Sequence, residues 1–278
     1  MHSEKLGLGT VQFGIPYGIS NTSGQTPPEE VRDILALALK NNIKVLDTAS
    51  AYGTAENVLG EVGVEGFEIV SKFLTPAEGE TISLQLKTTL QNLKQEKLYG
   101  YLAHRPQELL EKPELWEELQ GFKEVGLIIK RGFSLNKPEE LERLLEKGIH
   151  PDLIQVPYNY LDNRFEELMK ELHSKGCEIH TRSAFLQGLF FRDAETLPDF
   201  FNEVKPVLSH LQSEKASLSG KLLKYVLQKP FIDKVIIGVE NAQQLQQNLD
   251  DIHSAPALPQ KEKQVPENIL MPMYWPQA

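Results

Sequence analysis

Residues 6–48 read LGLGTVQFGIPYGISNTSGQTPPEEVRDILALALKNNIKVLDT, and this stretch decides the fold. It begins and ends with short apolar runs, Leu6–Thr10 and Val45–Thr48, each of a length typical of a buried strand. Between them, residues 26–29 (TPPE) have the spacing of a capping box, with a proline at the first helical position. The stretch therefore predicts a strand, a helix and a second strand. The apolar face of the helix would comprise Val31, Ile34, Leu35, Ala38 and Leu39.

The same unit recurs along the chain. Short apolar runs alternate with amphipathic segments, and Gly148 and Gly176 each follow a leucine-containing segment at a point where a helix would end. Because parallel strands need long crossover connections, this alternation predicts a parallel sheet covered by helices. The predicted strands are Leu6–Thr10, Val45–Thr48, Glu68–Lys72, Gly100–His104, Leu127–Phe133, Leu153–Val156, Glu178–Thr181 and Val235–Gly238.

The glycines near the start of the chain favour a closed sheet over an open one. An open, doubly wound sheet that binds a dinucleotide carries a Gly-rich fingerprint between its first strand and its first helix. Here Gly7 and Gly9 lack the third glycine and lie well ahead of the first predicted helix. We therefore predict a (β/α)8 TIM barrel, with residues 1–278 as a single domain and a Pro-rich tail over about residues 255–278 that wraps the barrel surface.

Composition and charge exclude several classes of function. The 278 residues are 40% hydrophobic and 24% charged, which is typical of a globular protein rather than a disordered one. The formal net charge of −10 argues against nucleic-acid and anionic-membrane partners, which call for an excess of Lys and Arg. Cys177 is the single cysteine, and no apolar stretch reaches the ~20 residues of a membrane span. We therefore expect a cytoplasmic protein with no membrane partner.

Chemically active side chains follow the second, third and fourth predicted strands. In a (β/α)8 barrel the carboxyl-terminal strand ends meet at one mouth, which is where enzymes of this fold carry their active sites. Asp47 closes the second run with Tyr52 just beyond it, Lys72 closes the third, and His104 closes the fourth. Taken singly, each has a structural alternative, such as a turn cap, a half-buried ring or a solvated strand end. Their convergence favours one shared chemical role.

Reduction of a carbonyl group fits this combination of side chains. A carbonyl that accepts a hydride becomes an alkoxide, so the site must give a proton to its oxygen. A phenol has an ordinary pKa of about 10, so Tyr52 would need assistance as an acid. The ammonium group of Lys72 would favour the phenolate, and Asp47 would keep Lys72 charged and oriented. His104 would polarise the carbonyl oxygen or relay a proton.

At these residues the sequence resembles the aldo/keto reductase family. The similar segments occur in the family's order, from Leu6 to about Asp250. The DTASAYG segment, combined with a downstream lysine and histidine on strand ends, is more specific than any one motif. The similar segments are LGLGTVQFG, VLDTASAYGTAENVLGE, IVSK, YLAHRP, GFS, DLIQVPYN, RSAFLQGLF and VIIGVENAQQLQQNL.

The resemblance implies specific roles for individual residues. The family's catalytic tetrad falls on the four side chains named above, and its contacts to the nicotinamide carboxamide fall on Ser134 and Gln155. Leu135 stands where the family usually has an asparagine, and Arg182 stands where an aromatic ring commonly stacks on the nicotinamide, a role that a guanidinium plane can also fill. No metal ligands are implied. The implied cofactor-binding residues are Gly9, Thr10, Asp47, Ser134, Gln155, Arg182, Ser183, Phe185, Gln187, Gly188, Gly238, Gln244 and Asn248.

The resemblance implies NADP(H) as the cofactor, while the residues at the adenosine end keep NAD(H) open. Relatives that prefer NADPH generally place Lys or Arg at the start of the last strand-to-helix loop, where the side chain meets the 2′-phosphate. This chain has Gly238, Val239 and Glu240 there, without the usual basic contacts. A carboxylate at Glu240 would oppose a phosphate. Gln244 and Asn248 match family positions that touch the adenosine, on the first turns of a helix whose amides favour anions.

We therefore expect an NAD(P)H-dependent oxidoreductase that reduces an aldehyde or ketone to an alcohol, with Tyr52 as the proton donor. The alternative is a cofactor-binding regulatory module of the same fold with little turnover, against which the complete tetrad argues. A metal-dependent barrel isomerase or hydrolase would pair histidines with carboxylates on strand ends, and the histidines here lack that spacing.

The substrate is expected to be a small carbonyl compound. The RSAFLQG segment is similar to that of bacterial relatives associated with surface-sugar biosynthesis, which favours a sugar-derived aldehyde or ketone. Two interpretations of the tail stay open, because its apolar side chains would either shape the substrate pocket or pack on the barrel exterior. Those side chains are Met271, Met273, Tyr274 and Trp275.

Overall fold

The computed structural model describes residues 3–19, 21, 23–213, 217–259 and 265–276. Its strands form a closed parallel barrel in which each strand pairs with its neighbours in chain order and the first pairs with the last. The predicted (β/α)8 barrel is confirmed, and each predicted strand coincides with an observed one whose ends differ by a residue or two. The strands are β1 (Leu6–Gly9), β2 (Val45–Asp47), β3 (Glu68–Phe73), β4 (Leu98–Ala103), β5 (Ile128–Ser134), β6 (Leu153–Pro157), β7 (Glu178–Arg182) and β8 (Lys234–Gly238).

Helices connect successive strands and cover the outside of the barrel. Within the described ranges, no helix combines the length and the apolar character that crossing a membrane requires. Short 3-10 helices occupy Ser3–Lys5, Leu186–Phe191, Ala194–Thr196, Asp199–Phe201 and Pro272–Tyr274. The α-helices are α1 (Val11–Gly14), α2 (Pro28–Lys40), α3 (Ala55–Val62), α4 (Ile82–Leu93), α5 (Glu108–Glu111), α6 (Glu114–Glu124), α7 (Pro138–Glu146), α8 (Glu166–Ser174), α9 (Lys205–Ser213), α10 (Leu218–Leu227), α11 (Ala242–Ser254) and α12 (Glu267–Leu270).

The start of α2 differs from the predicted capping box. The helix begins at Pro28 with Pro27 as its N-cap, so a proline does occupy the first helical position, but none of the described side chains caps the helix and the predicted capping box is wrong. Proline at the first helical position has no amide proton to satisfy, which reduces the need for a cap. Thr26 instead donates from Oγ1 to the carbonyl oxygen of Glu240 at 3.3 Å, in the loop after β8. Of the predicted apolar face, Val31, Ile34, Leu35 and Ala38 are buried, whereas Leu39 is 40% exposed.

The barrel interior is apolar at its middle and charged towards its carboxyl-terminal mouth. Successive side chains of a strand point to opposite faces, so residues two positions apart share a face. Asp47 follows Val45 by two positions and Lys72 follows Val70 by two, so both charged side chains lie directly above buried valines. The apolar cluster beneath them comprises Val45, Val70, Leu102, Leu153 and Ile236.

The described residues of the C-terminal tail pack against the outside of the barrel. Met271 is buried, and the ring of Trp275 packs edge-on against Phe201 with 5.3 Å between centroids. Lys137 Nζ lies 2.7 Å from Glu267 Oε1, a surface ion pair that joins α12 to the start of α7. These contacts place part of the tail on the barrel exterior, as one of the two interpretations expected. The assignment of residues 1–278 to one domain, with a tail over about residues 255–278, stays a prediction.

Candidate active site

Four polar side chains converge where β2, β3 and β4 end. Asp47 is the last residue of β2, Lys72 is the next to last of β3, and His104 directly follows β4. Tyr52 lies in the turn between β2 and α3. This turn is tied to the neighbouring strand, because the amide and the hydroxyl of Ser50 both donate to the Lys72 carbonyl oxygen at 3.1 Å. The fold thus brings together the four side chains that the sequence analysis singled out.

A glycine on α1 fixes the position of the Tyr52 turn. A Cβ atom added to Gly14 would lie 1.8 Å from the Tyr52 carbonyl oxygen and 2.5 Å from the Ala55 backbone nitrogen. Only glycine allows α1 to approach the turn this closely, so another residue would force the turn to move. The sequence analysis missed this role, because the contact joins segments well separated along the chain.

Lys72 is fully buried and lies at the centre of the group. Its Nζ is 2.8 Å from each carboxylate oxygen of Asp47 and 2.9 Å from the carbonyl oxygen of Thr48. It also lies 3.4 Å from the hydroxyl oxygen of Tyr52. Burial by itself favours the neutral amine, but Asp47 and Tyr52 raise the pKa of Lys72 above its ordinary value. A positive charge is therefore held directly beside the phenol.

His104 is a neutral imidazole beside Tyr52. The two rings meet edge to face, with centroids 5.9 Å apart and an interplanar angle of 83°. Burial, with the positive charges of Lys72 and Arg182, lowers the pKa of His104 to about 3. Its Nδ1 has no hydrogen-bond partner among the described residues. A neutral imidazole carries one N–H, so His104 can donate a hydrogen bond to an oxygen atom in the space beside it.

A cavity of about 820 Å³ runs from Tyr52 and His104 to the start of α11. This volume lies within the range of small-molecule and cofactor sites. Every residue implied as a cofactor contact lines the cavity except Gln155. The implied residues that line it are Gly9, Thr10, Asp47, Ser134, Arg182, Ser183, Phe185, Gln187, Gly188, Gly238, Gln244 and Asn248.

Gln155 lies beneath the cavity rather than in its wall. Its side chain is fully buried, and its Nε2 donates to Asp47 Oδ1 at 2.6 Å. Lys72 is also absent from the described lining residues, so both side chains can reach the cavity only through others. The implied contact of Gln155 with a nicotinamide carboxamide stays a prediction.

An amide lies one residue beyond the expected asparagine position. Leu135 is fully buried in the core, and the next residue, Asn136, lines the cavity. Arg182 donates from one terminal nitrogen to Asn136 Oδ1 at 2.6 Å and to the Leu135 carbonyl oxygen at 3.0 Å. The sequence analysis missed Asn136. Its position as the first uncharged polar residue after β5 was the signal that could have found it.

The segment after β7 lines the cavity and has a strained backbone conformation. Ser183, Leu186 and Gln187 have φ angles of +65°, +45° and +51°, which residues other than glycine rarely adopt. Gln187 donates from Nε2 to the Tyr17 hydroxyl at 2.7 Å, and its carbonyl oxygen accepts from the Ile19 amide at 3.2 Å. These two hydrogen bonds join the segment after β7 to Tyr17 and Ile19. Strain of this kind persists where surrounding contacts hold it, often at ligand clamps. The sequence analysis did not identify Tyr17.

The far end of the cavity is formed by the loop after β8 and the first turns of α11. The Glu240 amide donates to Gln244 Oε1 at 2.9 Å, and the Gln244 amide donates to the capping Asn241 Oδ1 at 2.8 Å. Among the described residues that line the cavity, Arg182 is the only lysine or arginine, and it follows β7 rather than β8. A negatively charged group at the far end would therefore meet amides and a carboxylate.

Pro272 and Met273 line the cavity, so the tail contributes to the pocket at these residues as well as packing outside it.

Within the described part of the chain, no group of three or more His, Cys, Asp or Glu side chains is arranged to hold a metal ion. Burial raises the pKa of the Cys177 thiol to about 12, which keeps this cysteine protonated at neutral pH.

Comparison with known proteins identifies similar sequences. The model of the Aldo/keto reductase family matches residues 5–264. Rhazimal reductase 2 from Alstonia scholaris is 32% identical over 162 residues, which cover 48% of this chain and 50% of that protein. An aldo-keto reductase from Mycobacterium sp. (strain KMS) is 29% identical over 175 residues, which cover 59% of this chain and 62% of that protein. The matches thus span between half and two thirds of the length of these curated relatives.

A solved structure shows the same fold. An aldo-keto reductase from Bacillus halodurans, determined in its holo form, superposes with a TM-score of 0.71 at 21% sequence identity. The superposition covers 92% of this chain and 88% of that one. At this identity the likeness concerns the barrel and its covering helices.

Proposed function

Because the chain belongs to the aldo/keto reductase family, we propose that it is an NAD(P)H-dependent oxidoreductase that reduces an aldehyde or ketone to an alcohol. The observation that carries the proposal is the 3.4 Å contact between the Tyr52 hydroxyl and the buried Lys72 Nζ, at one end of a cavity of cofactor size. A phenol beside a fixed ammonium group is suited to giving up a proton.

The residues along the cavity fit a dinucleotide. Ser134 and Asn136 offer a hydroxyl and an amide near Tyr52, while Gln244 and Asn248 offer amides near the start of α11. In this proposal the first pair would hold the nicotinamide end and the second pair the adenosine end. The bound cofactor supplies the hydride.

Tyr52 is the proposed proton donor. When the substrate carbon accepts hydride, negative charge develops on the carbonyl oxygen, and the Tyr52 hydroxyl transfers its proton to that oxygen. The Lys72 ammonium would stabilise the phenolate that remains. Asp47, with each carboxylate oxygen 2.8 Å from Nζ, would keep the ammonium in place. Lys72 and Asp47 would thus act through Tyr52.

His104 is proposed to orient the substrate. Because its pKa is lowered to about 3, the ring is neutral at physiological pH and does not compete with Tyr52 as a charged acid. A neutral N–H donor near Tyr52 would hold the carbonyl oxygen within reach of the phenol. This assignment gives Tyr52 the proton transfer and His104 the alignment.

We propose that the preference for NADPH over NADH is small or reversed, although NADP(H) is the family's default. Glu240 lines the far end of the cavity, and the described lining there includes no lysine or arginine. A carboxylate would oppose a 2′-phosphate but could accept a hydrogen bond from the ribose hydroxyl of NADH.

For the substrate we propose a small carbonyl compound of sugar origin, reduced in the cytoplasm. The similarity of RSAFLQG to relatives associated with surface-sugar biosynthesis supports the sugar class. Tyr17 supplies a polar group to the same cavity, which suits a hydroxylated substrate.

Turnover measured beside binding tests the proposal. Purified protein would be titrated with NADPH and NADH by fluorescence, then assayed with the tighter cofactor against a panel of simple and sugar-derived aldehydes and ketones. We expect cofactor oxidation with at least one carbonyl class. Tight cofactor binding without turnover across the panel would favour the regulatory module instead, and the absence of binding to either nucleotide would overturn both.

A further inference from the structure

The charges at the Tyr52 end of the cavity do not balance. Asp47 and Lys72 offset each other there, because both carboxylate oxygens lie 2.8 Å from Nζ. Arg182 also lines the cavity, and it is the only lysine or arginine among the described lining residues. None of the ion pairs between described residues includes Arg182. Within the described part of the chain, one positive charge of the cavity is therefore left without a carboxylate partner.

Neutral groups of the protein hold the Arg182 guanidinium in place. Arg182 ends β7, and its Nη2 donates to the Leu135 carbonyl oxygen at 3.0 Å and to Asn136 Oδ1 at 2.6 Å. Its Nη1 donates to Ser183 Oγ at 3.3 Å. A guanidinium has five N–H groups and no acceptor, so one N–H on Nε and one on Nη1 are left without a described partner. The three bonds fix the plane of the group and leave its charge for a ligand.

Tyr17 offers a further donor to the same cavity. Its hydroxyl oxygen accepts from Gln187 Nε2 at 2.7 Å, so the hydroxyl proton is not used in that bond, and none of the described residues accepts it. Burial raises the pKa of Tyr17, and the charge of Arg182 opposes this only in part, so the phenol stays protonated at neutral pH. Arg182 and Tyr52 both act on the pKa of Tyr17 through their charges, which places its hydroxyl near the same end of the cavity.

The position of Arg182 favours the substrate over the cofactor phosphates as the source of an anion. In the proposed function the nicotinamide lies near Ser134, and Arg182 bonds to the two residues that follow Ser134. The phosphates of a dinucleotide lie between its two nucleosides, so they would lie further towards α11. Burial and the charges of Lys72 and Arg182 lower the pKa of His104, so Arg182 acts on the ring that is proposed to align the carbonyl group.

We propose that Arg182 and Tyr17 form an anion subsite that binds a carboxylate group of the carbonyl substrate. The guanidinium supplies the charge and two N–H groups, and the Tyr17 hydroxyl supplies a third donor for the two carboxylate oxygens. One unbalanced positive charge matches the single negative charge of a carboxylate, whereas a phosphate monoester carries about two. The subsite would therefore select acidic carbonyl compounds, uronic acids among the sugar-derived ones, over neutral compounds. This substrate class rests on the proposed function, whereas the binding of a carboxylate does not.

Two pairs of compounds, each a carboxylate and its amide, test the subsite by kinetics. They are para-formylbenzoate with para-formylbenzamide, and D-glucuronate with D-glucuronamide. We expect wild-type kcat/KM to be about tenfold or more higher for each carboxylate, because a hydrogen bond to a charged group contributes at least about this factor. Arg182→Met should abolish most of that preference, and Tyr17→Phe should reduce it by about threefold. The ratio within a pair cancels any effect of the variant on the cofactor, since both compounds use the same one.

Two further variants serve as matched controls. Arg182→Lys keeps the positive charge, so it should retain a larger carboxylate preference than Arg182→Met. Arg143→Met removes the same charge from the exposed face of α7 and should leave the ratio close to wild type. A wild type without a preference for either carboxylate, or an unchanged ratio in a folded Arg182→Met variant, would overturn the proposal. Weaker cofactor binding in Arg182→Met with an unchanged ratio would overturn it too, because the guanidinium would then serve the cofactor.

Calorimetry tests the subsite without turnover. Each compound would be titrated into the full chain, alone and with oxidised cofactor, which has no hydride to give. We expect each carboxylate to bind more tightly than its amide, and Arg182→Met to remove most of the difference. Equal affinities in the wild type would overturn the subsite while the reductase assignment stands. Tighter binding of the carboxylates without reduction of any of the four compounds would support the subsite and count against the reductase assignment.

Discussion

At one end of the cavity, Asp47 and Lys72 lie on adjacent strand ends, Tyr52 lies in the turn after β2, and hydrogen bonds from Lys72 join the three. At the other end, Glu240 and Gln244 lie on a loop and a helix start, and their mutual contact involves a backbone amide. Changing a side chain at the first end disturbs several others. Changing Glu240 alters the charge that a ligand meets and little else. The comparison predicts that catalysis is sensitive to single substitutions, whereas cofactor choice is open to adjustment.

The largest expected effect is the loss of the proposed proton donor. Tyr52→Phe keeps the ring and removes the hydroxyl, so kcat should fall by ~10²–10⁴-fold, the usual contribution of general acid catalysis. Cofactor affinity should stay close to wild type, because the hydroxyl acts in the transition state. Steady-state kinetics and fluorescence titration measure the two quantities. Tyr274→Phe, at a half-exposed tyrosine of the tail, is the matched control, and a near-normal kcat in Tyr52→Phe would contradict the mechanism.

Lys72→Met tests whether Lys72, Asp47 and Tyr52 act together. It leaves Asp47 buried without its ion partner, so the free energy of unfolding should fall by about 3–5 kcal/mol. The rate should also fall, because the Lys72 ammonium group would stabilise the phenolate that remains after proton transfer. Urea unfolding and steady-state kinetics provide the measurements. Asp47→Asn should act in the same direction more weakly, and an unchanged rate in Lys72→Met would make Lys72 a structural residue only.

Glu240→Arg tests the opposite end of the cavity. A carboxylate about 4 Å from a phosphate costs roughly 1 kcal/mol at an exposed site, and a cation reverses the sign of the interaction. The ratio of NADPH to NADH affinity should therefore move towards NADPH by about tenfold or more, since 1.4 kcal/mol is one decade. Glu146→Arg makes the same charge change at the exposed end of α7 and should leave the ratio unaltered. Equal ratios in wild type and Glu240→Arg would show that Glu240 does not face the adenosine.

The smallest expected effect concerns stability in acid. The pKa of His104 is about 3 in the folded protein and 6.5 in the reference state, so between these values the unfolded chain binds more protons. The stability that His104 contributes is present above pH 6.5 and is lost as the pH falls towards 3. Between pH 7 and pH 4.5, the free energy of unfolding of His104→Gln, measured with urea, should therefore fall by at least about 1 kcal/mol less than that of wild type. The exposed His150→Gln is the control, and parallel curves for His104→Gln and wild type would contradict the shift.

Local patterns were sufficient to predict the barrel. Apolar runs and amphipathic segments depend on residues near one another in sequence, and they placed every strand to within a residue or two. The capping box at residues 26–29 failed because spacing alone does not reveal that Thr26 bonds to Glu240, which lies far along the chain. Leu39 was misplaced for a similar reason, since the width of a buried face is set by what packs against it.

The candidate active site could be predicted from the residues that end the strands. The fold brings those ends together, so Asp47, Lys72 and His104 could be found by reading each strand to its last polar residue. Gly14 and Tyr17 could not be found in this way, because their importance comes from contacts with Tyr52 and Gln187 across the fold. The burial of Gln155 beneath Asp47 was likewise outside the reach of spacing.

The pairing of β1 with β8 has a consequence for how the protein folds. Gly9 and Gly238 are register partners in the last seam of the barrel, and both line the cavity. Contacts between residues so distant in sequence form slowly, because most of the chain must be organised before they meet. The complete cavity therefore exists only after the seam has closed. A ligand that requires both walls would bind the closed barrel and not its open precursors, and so would raise the midpoint of thermal unfolding in proportion to the logarithm of its concentration.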